Sequence, residues 1–119
     1  MEKFPQLAYE RPDVEAAKKA LNDLIDAFLS ASTYEEARDI YLQLEKTDAA
    51  FSTMYTLAYI RNTMDTSDPF YDGEMKYFNE VAPAYMLVLQ RASKALTETK
   101  FKDDFSREFG PILIKKAEN

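Results

Sequence analysis

The chain has 119 residues, of which 46% are hydrophobic and 30% are charged, with only 2 Gly and 5 Pro. This length and composition are typical of one globular domain, and they exclude a disordered or fibrous chain. The formal net charge of -6, without any contiguous basic run, argues against nucleic acid as a partner.

The first predicted helix begins at Pro12 and Asp13. Asp13 can cap the free amides of the first turn, and Glu15 suits the positive end of the helix dipole. Apolar residues then recur at spacings of three and four, so we expect one face of this helix to pack in a core. These residues are Val14, Ala17, Leu21, Leu24, Ile25 and Phe28.

The second predicted helix carries the longest periodic pattern of the chain. Thr33 and Glu36 have the spacing of a capping box. The pattern that follows predicts one helix of about 28 residues, about 42 Å long, which needs at least two partner helices. Its positions are Tyr34, Ala37, Tyr41, Leu44, Asp48, Phe51, Tyr55, Ala58 and Asn62. We expect the Asp48 carboxylate to be partly exposed or hydrogen-bonded, since unpaired burial would be destabilising.

The third predicted helix begins with Asp68 as its cap and Pro69 as its first residue. Its apolar register continues through Pro83, which predicts a kink or a very short break there. The register positions are Phe70, Glu74, Tyr77, Val81, Tyr85, Val88, Ala92 and Leu96.

The C-terminal segment places Phe101, Phe105 and Phe109 four residues apart. Gly110 and a following Pro form a helix stop signal, after which residues 112–114 begin another apolar segment. The sequence ends soon afterwards, which suggests a truncation boundary. We therefore predict an all-α fold, a bundle of long antiparallel helices kinked near proline 83, forming a single helical domain over residues 1–119.

The residue types present limit the possible chemistry. The chain has no His and no Cys, which excludes a His-containing triad, a thiolate nucleophile, an HExxH or Cys-rich zinc site and a Glu-x-x-His di-iron site. Gly73 and Gly110 stand alone, so no phosphate-binding loop can form. We predict no catalytic residue, no metal ligand and no cofactor in this chain. A di-metal bundle enzyme that uses carboxylates alone ranks last among the alternatives.

The sequence "YIRNTMDTSDPFYDGE", residues 59–74, joins the second and third predicted helices. In a structural interpretation, the arginine suits a helix C-terminus and the aspartates cap amides or pair with it. In a functional interpretation, the arginine or the tyrosines reach a substrate or another domain, so that this corner faces a channel. The candidate residues are Tyr55, Tyr59, Arg61, Asp65 and Asp68, together with Thr66.

A family resemblance runs through the same segment. The block from Phe51 to Tyr71, with "YERPD" before the first helix and "TKFKDDF" after the third, resembles the N-terminal helical region of oligoendopeptidase F-type enzymes. These are cytoplasmic zinc metallopeptidases of the thimet oligopeptidase kind. The matching pattern is F-S-T-x-Y followed by I-R-x-T-x-D-T-x-D-x-F-Y, and the family block often carries His where this chain has Asn62.

The resemblance implies a much longer, mostly helical enzyme that hydrolyses short peptides inside a closed channel. Zinc would be held by an HExxH motif and a downstream Glu, and the motif's Glu would be the general base. None of these residues is in this chain, so no catalytic role transfers to it. The resemblance implies that the chain walls or gates the channel, with a C-terminal catalytic metallopeptidase domain of the same polypeptide and short peptides as its partners.

A free-standing interaction module is the alternative. A helical bundle can bind a partner through an apolar groove, and the aliphatic residues 112–114 fit that role as well as a fragment's sticky end. No apolar leader or run of about 18 apolar residues is present, so we expect a cytoplasmic protein without a membrane partner.

Overall fold

A computed structural model describes residues 8–118, and the residues in this range form five helices and no strand. The helices are α1 Val14–Leu29, α2 Tyr34–Met64, α3 Pro69–Glu98, α4 Lys102–Phe109 and α5 Pro111–Ala117. The all-α prediction and the positions of all the predicted helices are confirmed.

Side-chain caps start the three long helices where the sequence predicts them. Asp13 Oδ1 accepts from the Ala16 amide at 3.0 Å, and Thr33 Oγ1 accepts from the Glu36 amide at 3.2 Å. The Glu36 carboxylate accepts from the Ser32 amide at 3.4 Å, one residue before the cap, whereas a capping box returns this bond to the amide of the cap residue Thr33. Each cap satisfies an amide that has no partner inside its helix.

The contacts between helices establish the chain directions. Phe51 on α2 lies against both Phe78 and Tyr85 on α3, and Tyr55 also contacts Phe78. As residue numbers increase along α2, the numbers of the contacting residues on α3 decrease. These two helices are therefore antiparallel, as predicted. The bundle measures 51 × 30 × 23 Å, and α2, with 31 residues, is about 46 Å long and accounts for most of the longest dimension.

The third helix continues without interruption through Pro83, so the short break that we allowed there is absent. Pro83 and Asn79 are both exposed, and water can therefore hydrate the Asn79 carbonyl that has lost its amide partner. A kink at this position stays a prediction.

One buried cluster draws residues from all five helices. On α1 the predicted face is buried or half-buried. On α2 the periodic pattern is right at Ala37, Leu44 and Ala58 but fails at Tyr55, which is 37% exposed. Leu57, outside the pattern, is fully buried instead. At 100° per residue, Leu57 lies about 140° around the helix from Leu44, so its burial shows that this end of α2 is also covered on a second face. The cluster comprises Leu21, Ile25, Phe28, Ala31, Ala37, Leu44, Tyr85, Val88, Ala95, Leu96, Phe105 and Ile114.

The two short C-terminal helices close one end of the bundle. Phe105 of α4 is completely buried, and its ring lies between 5.1 and 5.7 Å from the rings of Phe28, Tyr34 and Tyr41. We call these four residues the aromatic end. On α5, Ile114 is buried, so the aliphatic segment finds part of its packing partner within the described chain.

Candidate functional site

The turn between α2 and α3 is held by its own carboxylates. Asp65 Oδ1 accepts from the Ser67 amide at 3.1 Å and from the Ser67 hydroxyl at 2.6 Å, and these bonds hold the pKa of Asp65 below its usual range. Asp68 Oδ1 accepts from the Phe70 amide at 2.9 Å and caps α3. The predicted corner residues Asp65 and Asp68 therefore have local structural contacts.

Arg61 connects this corner to the next helix. It lies in the last turn of α2, and its Nη1 donates to the Tyr71 hydroxyl at 3.0 Å. The guanidinium carbon is 5.8 Å from the centre of the Tyr71 ring. The cation thus suits the negative end of α2 and also contacts α3.

A buried carboxylate, Glu74, lies beside the corner. The sequence pattern puts it on the apolar face of the third predicted helix but does not indicate its partner. Glu74 is only 4% exposed. Its Oε1 accepts from Arg11 Nε at 3.0 Å and from the Tyr9 hydroxyl at 2.7 Å, and Arg11 Nη2 donates to Oε2 at 2.5 Å. We call Tyr9, Arg11 and Glu74 the N-terminal interlock, because they attach the segment before α1 to α3.

The hydrogen bonds of the N-terminal interlock fix the charge of Glu74. The bonds from Arg11 hold the pKa of Glu74 below its usual range, while burial opposes this effect and the bond from Tyr9 adds to it. Tyr77 completes the attachment, since its hydroxyl donates to the Pro12 carbonyl at 2.8 Å and its ring lies 4.4 Å from the Arg11 guanidinium. The sequence signal for this attachment was the position of Glu74 on the apolar face of α3, because a carboxylate buried there needs a cation or a hydrogen-bond donor as its partner.

A groove between α2 and α3 lies beside the predicted site residues. At its centre the buried Tyr85 hydroxyl donates to Asp48 Oδ1 at 2.7 Å, and the ring of Phe51 stacks on Tyr85 at 3.9 Å. Asp48 is therefore half-buried and hydrogen-bonded, which confirms the expectation for this carboxylate. Burial, followed by the bond to Asp48, raises the pKa of Tyr85.

Two cavities meet in this groove, which we call the α2–α3 groove. One has a volume of about 420 Å³ and is lined by Phe51, Tyr55, Phe78 and Met86 among others. The other has a volume of about 270 Å³ and extends towards α5. Asp48 and Leu89 line both cavities, so the two adjoin at these side chains.

The candidate residues predicted from the sequence fall into two places. Tyr55 lines the α2–α3 groove with its ring 5.3 Å from that of Phe78. Tyr59 is 52% exposed, and its ring centre is 6.4 Å from that of Tyr55. Arg61 lies at the corner with the two aspartates. The structure therefore separates the tyrosines, which are accessible to a partner, from the residues that hold the turn.

The side chains that could donate to a metal ion are dispersed over the described part of the chain. Between residues 8 and 118, no three Asp or Glu side chains are grouped closely enough to hold a metal ion, and the sequence contains no His or Cys. These residues do not fit a zinc site of His and carboxylate ligands. In the same part of the chain, none of the helices has the length and hydropathy needed to cross a bilayer.

A family profile and solved structures both match nearly the entire sequence. The sequence profile of the family described as Peptidase M3 N-terminal domain matches residues 4–119. Among curated proteins, none matches the sequence. The structure of PZ peptidase A with inhibitor 2 superposes with a TM-score of 0.93 at 33% identity, over 98% of this chain and 21% of that protein.

Two further solved structures are described as oligoendopeptidase F. One of them, from Bacillus anthracis str. Ames, has a TM-score of 0.94 at 29% identity, over 99% of this chain and 22% of that protein. The other has a TM-score of 0.94 at 28% identity, over 99% of this chain and 21% of that protein. The chain spans about a fifth of the length of each of these peptidases.

Proposed function

Since the chain belongs to the Peptidase M3 N-terminal domain family, we propose that it is the non-catalytic N-terminal helical domain of an oligoendopeptidase F-type metalloendopeptidase. In this proposal residues 1–119 form a single domain, and a catalytic domain of the same polypeptide follows it. The observation that carries the proposal is the match over nearly the entire chain to about a fifth of much longer peptidases.

In this role the domain forms part of the wall of the substrate channel and restricts entry to short, unfolded peptides. The α2–α3 groove supports the assignment of one face to the channel, because it presents partly exposed side chains such as Tyr55 and Met86 beside a hydrogen-bonded carboxylate. The corner residues Arg61, Asp65 and Asp68 would fix the angle between the two helices that border the groove.

The zinc of such an enzyme would be held by the catalytic domain. It would act there as a Lewis acid on the peptide carbonyl and activate water. The contribution of the present residues would be to bind and orient the peptide and to exclude larger chains. A cytoplasmic location belongs to the same proposal, and fractionation of cells that express the native gene would test it.

The proposal is tested with a chimera. We would replace the matching N-terminal fifth of the Bacillus anthracis oligoendopeptidase F with residues 1–119 of this chain and assay a quenched fluorogenic peptide. We expect chelator-sensitive cleavage by the chimera and none by the isolated 119-residue chain. Deletion of the same fifth, without replacement, provides the negative control.

The alternative is a free-standing helical interaction module. It is favoured by the large apolar side chains that remain exposed, including Ile112 at 64% and Leu87 at 66%. A chimera that is folded by circular dichroism but inactive would support the module and contradict the channel-wall proposal. Cleavage by the isolated chain, abolished by a chelator, would contradict both.

A further inference from the structure

The α2–α3 groove combines an apolar half with charges of both signs. Its aromatic half is formed by Phe51, Tyr55 and Phe78, with Met86 at its edge. The charged residues that line the two cavities, within the described part of the chain, are Glu45, Asp48 and Lys116. The volumes of about 270 and 420 Å³ fall near the lower end of the range of about 300 to 1,000 Å³ typical of small-ligand pockets.

The two carboxylates lie on one face of α2. Glu45 and Asp48 are three residues apart, so their side chains are neighbours on the helix surface. Asp48 already accepts one hydrogen bond from Tyr85, but a carboxylate has several acceptor positions and can bind an ammonium group as well. The bond from Tyr85 fixes the position of the Asp48 carboxylate at the junction of the two cavities.

Lys116 lines only the smaller cavity, whereas the rings of the aromatic half line only the larger one and Asp48 lines both. This lysine belongs to α5, while the carboxylates belong to α2, and all three line the same cavity. A ligand that matches this arrangement carries a cation next to an apolar group and an anion further along. An unblocked short peptide has these features, because its N-terminal ammonium and first side chain are adjacent and its carboxylate is at the other end.

We propose that the α2–α3 groove binds short peptides with free termini and an apolar first residue. The first side chain occupies the aromatic half, the ammonium pairs with Asp48 and Glu45, and the backbone runs towards Lys116. This inference rests on the proposed function for the class of ligand, and it adds the recognition of the free N-terminus and the residues responsible for it.

The test uses the tripeptide Leu-Gly-Gly and its N-acetyl derivative as probes. Each is titrated into the ¹⁵N-labelled 119-residue chain and followed by amide chemical shifts. We expect shifts concentrated at groove residues such as Phe51, Tyr55 and Met86. Acetylation removes the cation and should weaken binding about tenfold, the usual size of one lost charge-assisted hydrogen bond.

Two substitutions test whether the Asp48 carboxylate is the group that binds the peptide ammonium. Asp48→Asn keeps an oxygen that can accept from Tyr85 but removes the charge, so it should weaken Leu-Gly-Gly about tenfold and leave the acetylated peptide unaffected. Glu80→Gln is the matched control, because Glu80 is exposed on α3 and lines neither cavity, and it should leave both affinities unchanged. If Asp48→Asn fails to fold, the affinities of the two peptides for the wild-type chain still test whether the groove recognises a free N-terminus.

Equal affinity for the two peptides, shifts spread outside the groove, or no shift with peptide in large excess would each overturn the inference. An active chimera together with absent binding would remove this inference and keep the proposed function. An inactive chimera together with specific binding of the free-amine peptide would remove the proposed function and keep the groove as a peptide site.

Discussion

The N-terminal interlock and the aromatic end stabilise the two ends of the bundle in different ways. At the interlock, the side chains of Tyr9 and Arg11 attach an extended segment to α3 through three directional hydrogen bonds to one carboxylate, Glu74. At the aromatic end, Phe105 has no exposed surface and is surrounded by other rings. The first depends on charge and hydrogen-bond geometry, and the second depends on filled volume, so the two should respond to different perturbations.

The largest predicted effect is at the aromatic end. Phe105→Ala removes a fully buried ring and leaves a cavity, so we expect a loss of about 4 kcal/mol in the free energy of unfolding. Chemical denaturation measures it. Phe109→Ala is the control, because Phe109 belongs to the same short helix and is 38% exposed, and its cost should be clearly smaller. Equal costs for the two variants would show that the aromatic end is not closely packed.

A smaller effect is predicted at the N-terminal interlock. Glu74→Ala leaves Tyr9 and Arg11 without their acceptor, but the Arg11 side chain is 51% exposed and can be hydrated, so we expect a loss of about 2 kcal/mol. Glu80→Ala, an exposed substitution on the same helix, should stay within about 0.5 kcal/mol. If the two substitutions cost the same, the buried carboxylate contributes nothing and the contrast between the two ends fails.

The two ends should also differ in their dependence on pH. The folded-state pKa of Glu74 is below its unfolded value, mainly because of the bonds from Arg11. Its contribution to stability is therefore fully present above the unfolded pKa of about 4.3 and is lost as the pH falls through the folded value. The difference in unfolding free energy between wild type and Glu74→Gln should accordingly be constant near neutral pH and shrink in acid.

The aromatic end supplies the comparison for that experiment. The cost of Phe105→Ala comes from volume and apolar contact, so it should be the same at neutral pH and in acid, as long as both proteins remain folded. A pH-dependent cost at Phe105, or a pH-independent difference for Glu74→Gln, would contradict the assignment of the two mechanisms.

Much of the fold could be predicted from sequence because it depends on local pattern. Helix boundaries follow from caps such as Asp13 and Asp68 and from apolar spacing, both of which lie within a few residues of the feature that they determine. Leu57 is an instructive exception, because it lies off the periodic stripe and its burial depends on packing that local spacing does not show.

The candidate site was less predictable because its contacts join distant parts of the chain. Arg11 and Glu74 are 63 residues apart, and Asp48 and Tyr85 are 37 apart. The sequence marks Glu74 and Asp48 as polar residues on apolar faces that need partners, but periodicity cannot say which partners the packing of three helices brings near. Arg61 lies in the last turn of α2, where its charge suits the helix dipole, whereas its contact with Tyr71 depends on the angle between α2 and α3.

The smallest predicted effects concern the helix caps, and here the two ends should behave alike. Asp68→Ala removes the cap of α3 beside the N-terminal interlock, and Thr33→Ala removes the cap of α2 beside the aromatic end. Each should lower the free energy of unfolding by about 1 kcal/mol, because a cap satisfies an amide of its own first turn and does not depend on the packing around it.

The Asp68→Ala and Glu74→Ala costs should also add in the double variant, since the two side chains have no partner in common among their hydrogen bonds. A cap at the corner that costs much more than the cap at Thr33, or that couples to Glu74, would show that Asp68 belongs to the interlock and helps to set the angle between α2 and α3.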